Sequence, residues 1–351
     1  MRWASLLVLS LLYTLTVDGQ SSPPAAPSQP ALLKNPAEIF AAAAPLYDFS
    51  SNSLKPWHIK VSYQLYDDGG KPRTQGVYEY WWTSPGNYRS SWSHPGMEHT
   101  EWMVKGEHYD LLSGNPLDSY EMQLEEYLLR AIPDPQDLAD QEFVHYPRTV
   151  NKVPLSCVTP MSHEKAKKKL PVGEIATYCF ESGQTVLRMQ GSTHAVQAAY
   201  ANIILMQGRL LAHQLVLFDA QRRVLNAVVD ETQTISPDAP ELVPNQQAKK
   251  EPKVERIFRP LGVVEPKLIE AVEAEFPESE RMQSAREGLV TVRMAVGVDG
   301  RVHDAAIVSA TSPALAKEAL TAVKQYRFEP ARRHGIPVEM DLHVEVRFRR
   351  F

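Results

Sequence analysis

The chain has 351 residues, 43% of them hydrophobic, enough to bury more than one core, so two domains are the natural expectation. Lysine and arginine number 37 against 42 acidic side chains, a net charge of −5. No field of one sign points to nucleic acid or an anionic membrane surface, and neither is expected as a partner.

The chain opens on Arg2, an apolar run from Trp3 to Val17 and compact residues at Val17-Asp18-Gly19. This is the build of a secretory signal cleaved before Gln20. The run falls short of the roughly 20 residues that span a bilayer. Residues 1–19 therefore read as a signal peptide for export to the periplasm; the alternative is an uncleaved segment anchored in the inner membrane. Residues 20–34, with Pro23, Pro24, Pro27 and Pro30 among Ser, Ala and Gln, cannot bury a core and read as a tether. Asn35-Pro36-Ala37-Glu38 then has the form of a capping box opening a short helix.

Residues 35–235 read as the first domain. Trp57, Ile59, Val61, Tyr63 and Leu65 share one strand face, and Asp67-Asp68-Gly69-Gly70 turns the chain into a return strand at Gly76–Thr83. Short turns then separate Asn87–Ser93, Glu98–Val104 and Glu107–Leu112, an up-and-down antiparallel meander. Between Pro116 and Ala131 the period becomes helical, with Leu117, Tyr120, Leu124, Tyr127 and Leu128 on one side. Further strands are expected at Val150–Thr159, Ala176–Phe180, Thr185–Gln190, Ala198–Leu205, Gly208–Phe218 and Arg222–Thr234. So many consecutive antiparallel strands with one or two helices predict a strongly curved sheet wrapped on a helix. The two cysteines, Cys157 and Cys179, read first as a disulfide in an exported chain; the alternative is a pair of buried thiols.

Residues 236–262, with Pro237, Pro240, Pro244 and Pro252 among charged residues, read as a linker. Residues 263–351 follow as a small α+β domain. A strand from Val290 to Val298 meets Asp299-Gly300, suited to a two-residue turn with positive φ at both positions. The return strand is Val302–Ser309, and Ser312-Pro313 caps a helix presenting Leu315, Ala319, Ala322, Val323 and Tyr326. In the last strand Val338, Met340, Leu342, Val344, Val346 and Phe348 alternate with Glu339, Asp341, His343, Glu345 and Arg347.

Glu287-Gly288, Asp299-Gly300-Arg301-Val302, Tyr326-Arg327-Phe328-Glu329-Pro330-Ala331 and Gly335-Ile336-Pro337-Val338 stand in the order and spacing of the TonB C-terminal domain, which this end of the chain resembles. Family members more often carry Trp where Tyr326 stands. Glu275-Phe276-Pro277, opening a helix to Arg286, is similar to the family's Tyr-Pro helix, though longer by one residue and with Glu280 where Ala is usual. The resemblance implies a three-stranded antiparallel sheet with two helices. It also implies a terminal strand that accepts an extended segment of an envelope partner such as an outer-membrane transporter. The partner-binding residues would be Val338, Met340, Leu342, His343, Val344, Val346 and Phe348; the alternative is a strand that simply completes the sheet. More weakly, Gly76-Val77-Tyr78-Glu79-Tyr80-Trp81-Trp82, Pro85-Gly86-Asn87-Tyr88-Arg89 and Met206-Gln207-Gly208-Arg209 look like periplasmic carriers of the LolA type. Those are half-barrels that bind lipid acyl chains.

Five of the six tryptophans lie between Trp57 and Trp102. Trp57, Tyr63, Trp81, Trp82 and Trp92 could line a cavity for an apolar ligand, or build the sheet's core as large rings do. His94, His99 and His108 lie across turns and strands with no helical i, i+4 pair, so no metal is expected. No nucleophile elbow, phosphate loop or His-Glu-x-x-His motif occurs. Neither catalysis nor a cofactor is expected.

Overall fold

The computed structural model describes residues 35–139, 141–162, 176–192, 195–259, 261–281 and 287–349. The expected signal peptide and tether, and Lys165 to Lys169 in the disulfide loop, lie outside the described residues. The first part opens with helix α1 (Pro36–Tyr47), where the Asn35 side chain accepts from the Ala37 N–H at 3.1 Å. Strands β1 (Trp57–Tyr66), β2 (Pro72–Ser84), β3 (Asn87–His94), β4 (Met97–Val104) and β5 (Glu107–Gly114) follow as hairpins. Helix α2 (Ser119–Leu129) carries the chain to β6 (Gln141–Val150), β7 (Val153–Ser162), β8 (Thr177–Glu181), β9 (Leu187–Gly191), β10 (Gln197–Met206), β11 (Arg209–Asp219) and β12 (Arg222–Thr234). All pair antiparallel in one open sheet, ordered β5-β4-β3-β2-β1-β12-β11-β10-β9-β8-β7-β6. The meander thus runs outward from the centre to β5, crosses by α2 to the far edge, and returns. The expected curved sheet on helices is what forms, with β6 as an added edge strand.

One core joins Phe40 and Ala43 of α1, Leu124, Tyr127 and Leu128 of α2, and the rings and aliphatic groups of the strands. Gly76 lets β2 pass there: a Cβ on it would meet the Tyr63 ring at 2.3 Å. Helix α2 opens on a reciprocal capping box between Asp118 and Glu121. It also turns carboxylates inward. Glu121 accepts from the Tyr63 hydroxyl at 2.5 Å, and Glu125 accepts from Ser90 at 2.5 Å and Tyr78 at 3.1 Å. Burial, reinforced by these carboxylates, pushes the Tyr63 and Tyr78 phenols well above their ordinary pKa. Cys157 and Cys179 face each other across β7 and β8 and form the expected disulfide, 2.04 Å between sulfurs.

Residues 236–262, read from composition as a linker, lie against both parts of the molecule. The carbonyl of Glu241 accepts from the Trp102 indole at 3.0 Å on the face away from the helices. β13 (Lys249–Lys250) pairs with Asp110 and Tyr109 of β5. The segment then passes to the helix-covered face. Lys253 Nζ donates to Glu101 at 2.9 Å, β14 (Arg256–Ile257) joins the second sheet, and Leu261 enters the first core. The Arg259 guanidinium, 10% exposed, binds Glu126 of α2 and the Ala131 carbonyl, the latter at 3.1 Å. Though burial opposes it, Arg259 and then Arg130 hold the Glu126 carboxyl below its usual range.

The C-terminal part contains β15 (Val263–Val264), β16 (Lys267–Glu270), α3 (Glu278–Arg281), β17 (Glu287–Val296), β18 (Val302–Ala310), α4 (Pro313–Val323), β19 (Arg327–Glu329), β20 (Ala331–Arg333) and β21 (Ile336–Arg349). The three expected strands form its centre, β21-β17-β18, but the sheet has six members because β15, β20 and β14 add to the outer side of β21. The helix expected to reach Arg286 is seen as the single turn α3; residues 282–286 lie outside the described residues. The Asp299-Gly300 turn also differs from expectation. Gly300 alone of the two has positive φ (74°), the Gly300 N–H bonds Gly297 O and the Gly297 N–H bonds Arg301 O. The loop therefore runs 297–301, three residues longer than a two-residue turn. One face of β17 and β21 packs Val290, Val292, Val346 and Phe348 against Leu315, Ala319 and Val323 of α4.

Removing one partner of a buried ion pair strands the other charge. Arg259→Met should therefore lower stability by roughly 3 kcal/mol in urea unfolding. Adding Glu126→Gln should restore much of that loss; equal destabilisation by the double variant would show that Arg259 acts by packing alone.

Candidate functional site

The terminal strand β21 is long because both its faces have work. Its even-numbered residues face the cores: Val338 and Met340 join Ile257 and Ala331, while Leu342, Val344, Val346 and Phe348 pack with α4 and its surroundings. On the inner side it pairs with β17 from Glu287↔Arg349 to Val296↔Met340. On the outer side the first residues already have partners. Ala331–Arg333 pairs with Ile336–Val338, and β14 lies parallel against Glu339 and Met340, the Glu339 N–H donating to Glu255 O at 3.0 Å. Since N–H direction alternates along a strand, the odd-numbered residues from Asp341 onward also aim outward. Among the described residues no strand pairs with that edge beyond Met340.

The odd-numbered side chains near the strand's middle do not wait for a partner. They dock on the first domain. His343 Nε2–H donates to Asp219 Oδ2 at 3.2 Å, and the Tyr120 hydroxyl donates to the same oxygen at 2.7 Å. Asp341 accepts from Ser119 Oγ at 2.9 Å and Arg256 Nε at 2.7 Å. Arg293, opposite His343 on β17, lies 4.3 Å over the Tyr120 ring. Arg333, the last residue of β20, binds Asp137. Asp219 closes β11 at a two-residue turn, Ala220-Gln221, whose residues both hold positive φ (46° and 65°) without glycine. That hairpin tip stores backbone strain where it presents Asp219 and Arg222 to the second domain. Asp219 is 2% exposed; burial raises its pKa, but the His343 and Tyr120 hydrogen bonds outweigh this and hold it below the usual value.

The five ring positions named from sequence do not share one surface. Trp57, Tyr63, Trp82 and Trp92 lie in the packed core with α1 and α2. Trp81 takes the opposite face of the sheet, stacked on His58 at 4.4 Å with Arg89 4.1 Å above it. Of the three histidines, His94 sits 3.5 Å from Glu121, whereas His99 lies 2.5 Å from Asp110 and His108 3.8 Å from Glu101 across β4 and β5. A helical i, i+4 criterion overlooks these carboxylates; in a strand, i and i+2 share a face. His343 and Asp341 were legible as an outward face, but Asp219, Tyr120 and Ser119 were not. Their role depends on a contact more than a hundred residues distant.

Fold and site define a mostly antiparallel β protein in which a small α+β unit is docked, by polar groups, on a large curved sheet. Within it, residues 272–349 match the family model of the Gram-negative bacterial TonB protein C-terminal. Among solved structures, a DUF1329 family protein from Desulfovibrio piger ATCC 29098 aligns at 9% identity and a TM-score of 0.38, over 59% of this chain and 94% of its own. A LolA superfamily protein from Nitrosomonas europaea aligns at 10% identity and a TM-score of 0.38, over 57% and 95%. No curated protein matches the chain.

A carboxyl with a lowered pKa stabilises the docked state above its free value, 3.8, and loses that contribution as pH falls through the docked value. Urea midpoints should therefore drop as the pH falls below about 5 and on through the lowered docked value. Asp219→Asn should lose about 2 kcal/mol at pH 7 and flatten this part of the profile. An unchanged slope in the variant would remove Asp219 from the account.

Proposed function

We propose that this chain is an exported envelope protein, without catalysis of its own, whose C-terminal domain recruits an extended segment of a partner by strand addition along the outer edge of β21. The observation that carries this reading is β14. The chain already lays one short strand on that edge, parallel to β21, and ends it at Met340. Beyond it Glu345, Arg347 and Arg349 are exposed and their backbone groups aim outward. The family match over residues 272–349 supports the same assignment, with the periplasm as compartment and an outer-membrane transporter as the expected class of partner. Among the described residues no helix is long and apolar enough to cross a membrane. The pairing surface in this reading is narrower than the sequence pattern implied. It begins after Met340, and its first residues, Asp341 and His343, have side chains committed to the first domain.

Backbone groups carry such a contact, so side-chain truncation should matter little. Arg347→Ala should weaken binding of a transporter-derived peptide less than threefold, by roughly half a kcal/mol. Arg347→Pro removes an outward donor and should cost at least about tenfold, one hydrogen bond's worth. Hydrogen exchange on the full chain should show new protection at 343–349. Protection confined to Pro313–Val323 would place the partner on α4 and refute strand addition.

A further inference from the structure

The outer edge of β21 is used differently along its length. Ile336–Val338 pairs with β20 in a hairpin, Glu339 and Met340 carry β14, and no strand among the described residues pairs beyond them. β14 is unlike its neighbours. It comes from the segment between the two parts, runs parallel to β21 for two residues, and among the described residues has no strand on its other side.

Its hold on β21 is local. The Glu339 N–H donates to Glu255 O at 3.0 Å. Ile257, 8% exposed, packs on Ala331, Val338 and Met340, a small cluster distinct from the one built on α4. Arg256 reaches Asp341, Asp304 and Glu339 at 2.7, 2.8 and 3.1 Å, yet its Nη2 is buried without a hydrogen-bond partner. Three carboxylates share this one guanidinium. Burial, with the charges of Asp341 and Asp304, raises the Glu339 pKa against the pull of Arg256. A short strand so held is of the kind that opens locally, below the cost of global unfolding. Its position matters because the exposed outward residues of β21 begin at Glu345. A partner strand that grows from there past Asp341 enters the place that β14 fills.

Resting on the strand-addition reading, we propose that β14 is a built-in competitor for the partner: it closes the edge beside Glu339 and Met340 and leaves when a longer strand grows along β21. A tethered strand competes at an effective concentration in roughly the millimolar range. Partner affinity is then reduced by the fraction of chains in which the edge is shut. Lys253 and Arg259, on either side of β14, are anchored on Glu101 and Glu126, so the first domain sets that fraction. The incoming strand inherits β14's surroundings: a cation suits Asp304, Glu339 and Asp341, and an apolar residue suits the place of Ile257.

Hydrogen exchange on the full chain tests release without any ligand. Glu339 should exchange by local opening, at least about 100-fold faster than Val344 and Val346, whose N–H groups face β17. A Glu339 amide as slow as those would show that β14 leaves only on unfolding and would overturn the proposal. Competition is read with a synthetic peptide copying Lys253–Arg259, added to wild type and to Ile257→Ala, which removes β14's apolar contact. The peptide should bind the variant about tenfold more tightly and restore protection at Glu339 there. Equal affinity for both chains refutes competition. Should Ile257→Ala fail to fold, as judged by its urea transition, the wild-type exchange rate of Glu339 decides. A transporter-derived peptide separates the two readings. Protection at 343–349 with equal affinity for both chains keeps strand addition and overturns the competitor. Binding of the copied peptide to the variant, with no transporter peptide bound to either chain, keeps the competitor and removes the transporter as partner.

Discussion

Three cations at three-residue spacing, Lys253, Arg256 and Arg259, hold the molecule's two parts in one arrangement. Each ends on a different element: Lys253 on Glu101 of β4, Arg256 on Asp341 of β21, Arg259 on Glu126 of α2. Paired buried charges add little net stability over apolar residues of the same volume, because desolvation opposes their attraction. Mispaired, they are expensive. A slip of the segment by one residue would strand three cations and three carboxylates together. The segment's register, which no long strand or helix enforces, is thereby fixed by electrostatics.

That register sets the geometry of the terminal strand. Arg256 reaches Asp304 and Glu339 as well as Asp341, so the place where β14 lies on β21 follows from side-chain pairing more than from its two-residue ladder. The same Asp341 accepts from Ser119 at the start of α2. Helix, segment and strand therefore meet at one carboxylate. The contact between the two parts is polar throughout this region, with His343 on Asp219 and Arg293 over Tyr120, the kind of surface that separate domains use to dock. Two nitrogens of Arg293 are buried there without a hydrogen-bond partner, which makes the dock weaker than its list of charges implies.

What was legible in the sequence was whatever its own period determined. Alternation from Trp57 to Leu65 and from Val338 to Phe348, with turns between, gave both sheets, and the matched segments gave the C-terminal unit. β6 was missed because both of its faces are largely exposed, so Gln141–Val150 shows no alternation to read. Residues 236–262 were misleading for a different reason: proline and charge do prevent an independent core, but they do not prevent ordering against carboxylates supplied by other elements. Glu121 and Glu125 are acidic residues that periodicity alone does not place inside a core. They are buried because Tyr63, Tyr78 and Ser90 reach them from strands. The His-x-Glu and His-x-Asp pairs were visible, yet only a strand's two-residue period brings them to one face.

Edge management gives the last step. The ordered segment caps one edge of each sheet, β5 with β13 and the start of β21 with β14, using two residues each time. The remaining edges among the described residues are unequal. β6 carries Pro147, which has no N–H to offer, with Glu142, His145 and Arg148 around it. β18 is interrupted, since its register with β17 shifts twice, Asp304 takes positive φ (49°) and Arg222 occupies the Val308 carbonyl. Residues 345–349 of β21 have regular pairing to β17, no proline, and charged side chains at each outward position. Charge there keeps the edge soluble without removing a single backbone donor. An edge protected against indiscriminate pairing but left geometrically intact is one that a specific strand can still complete.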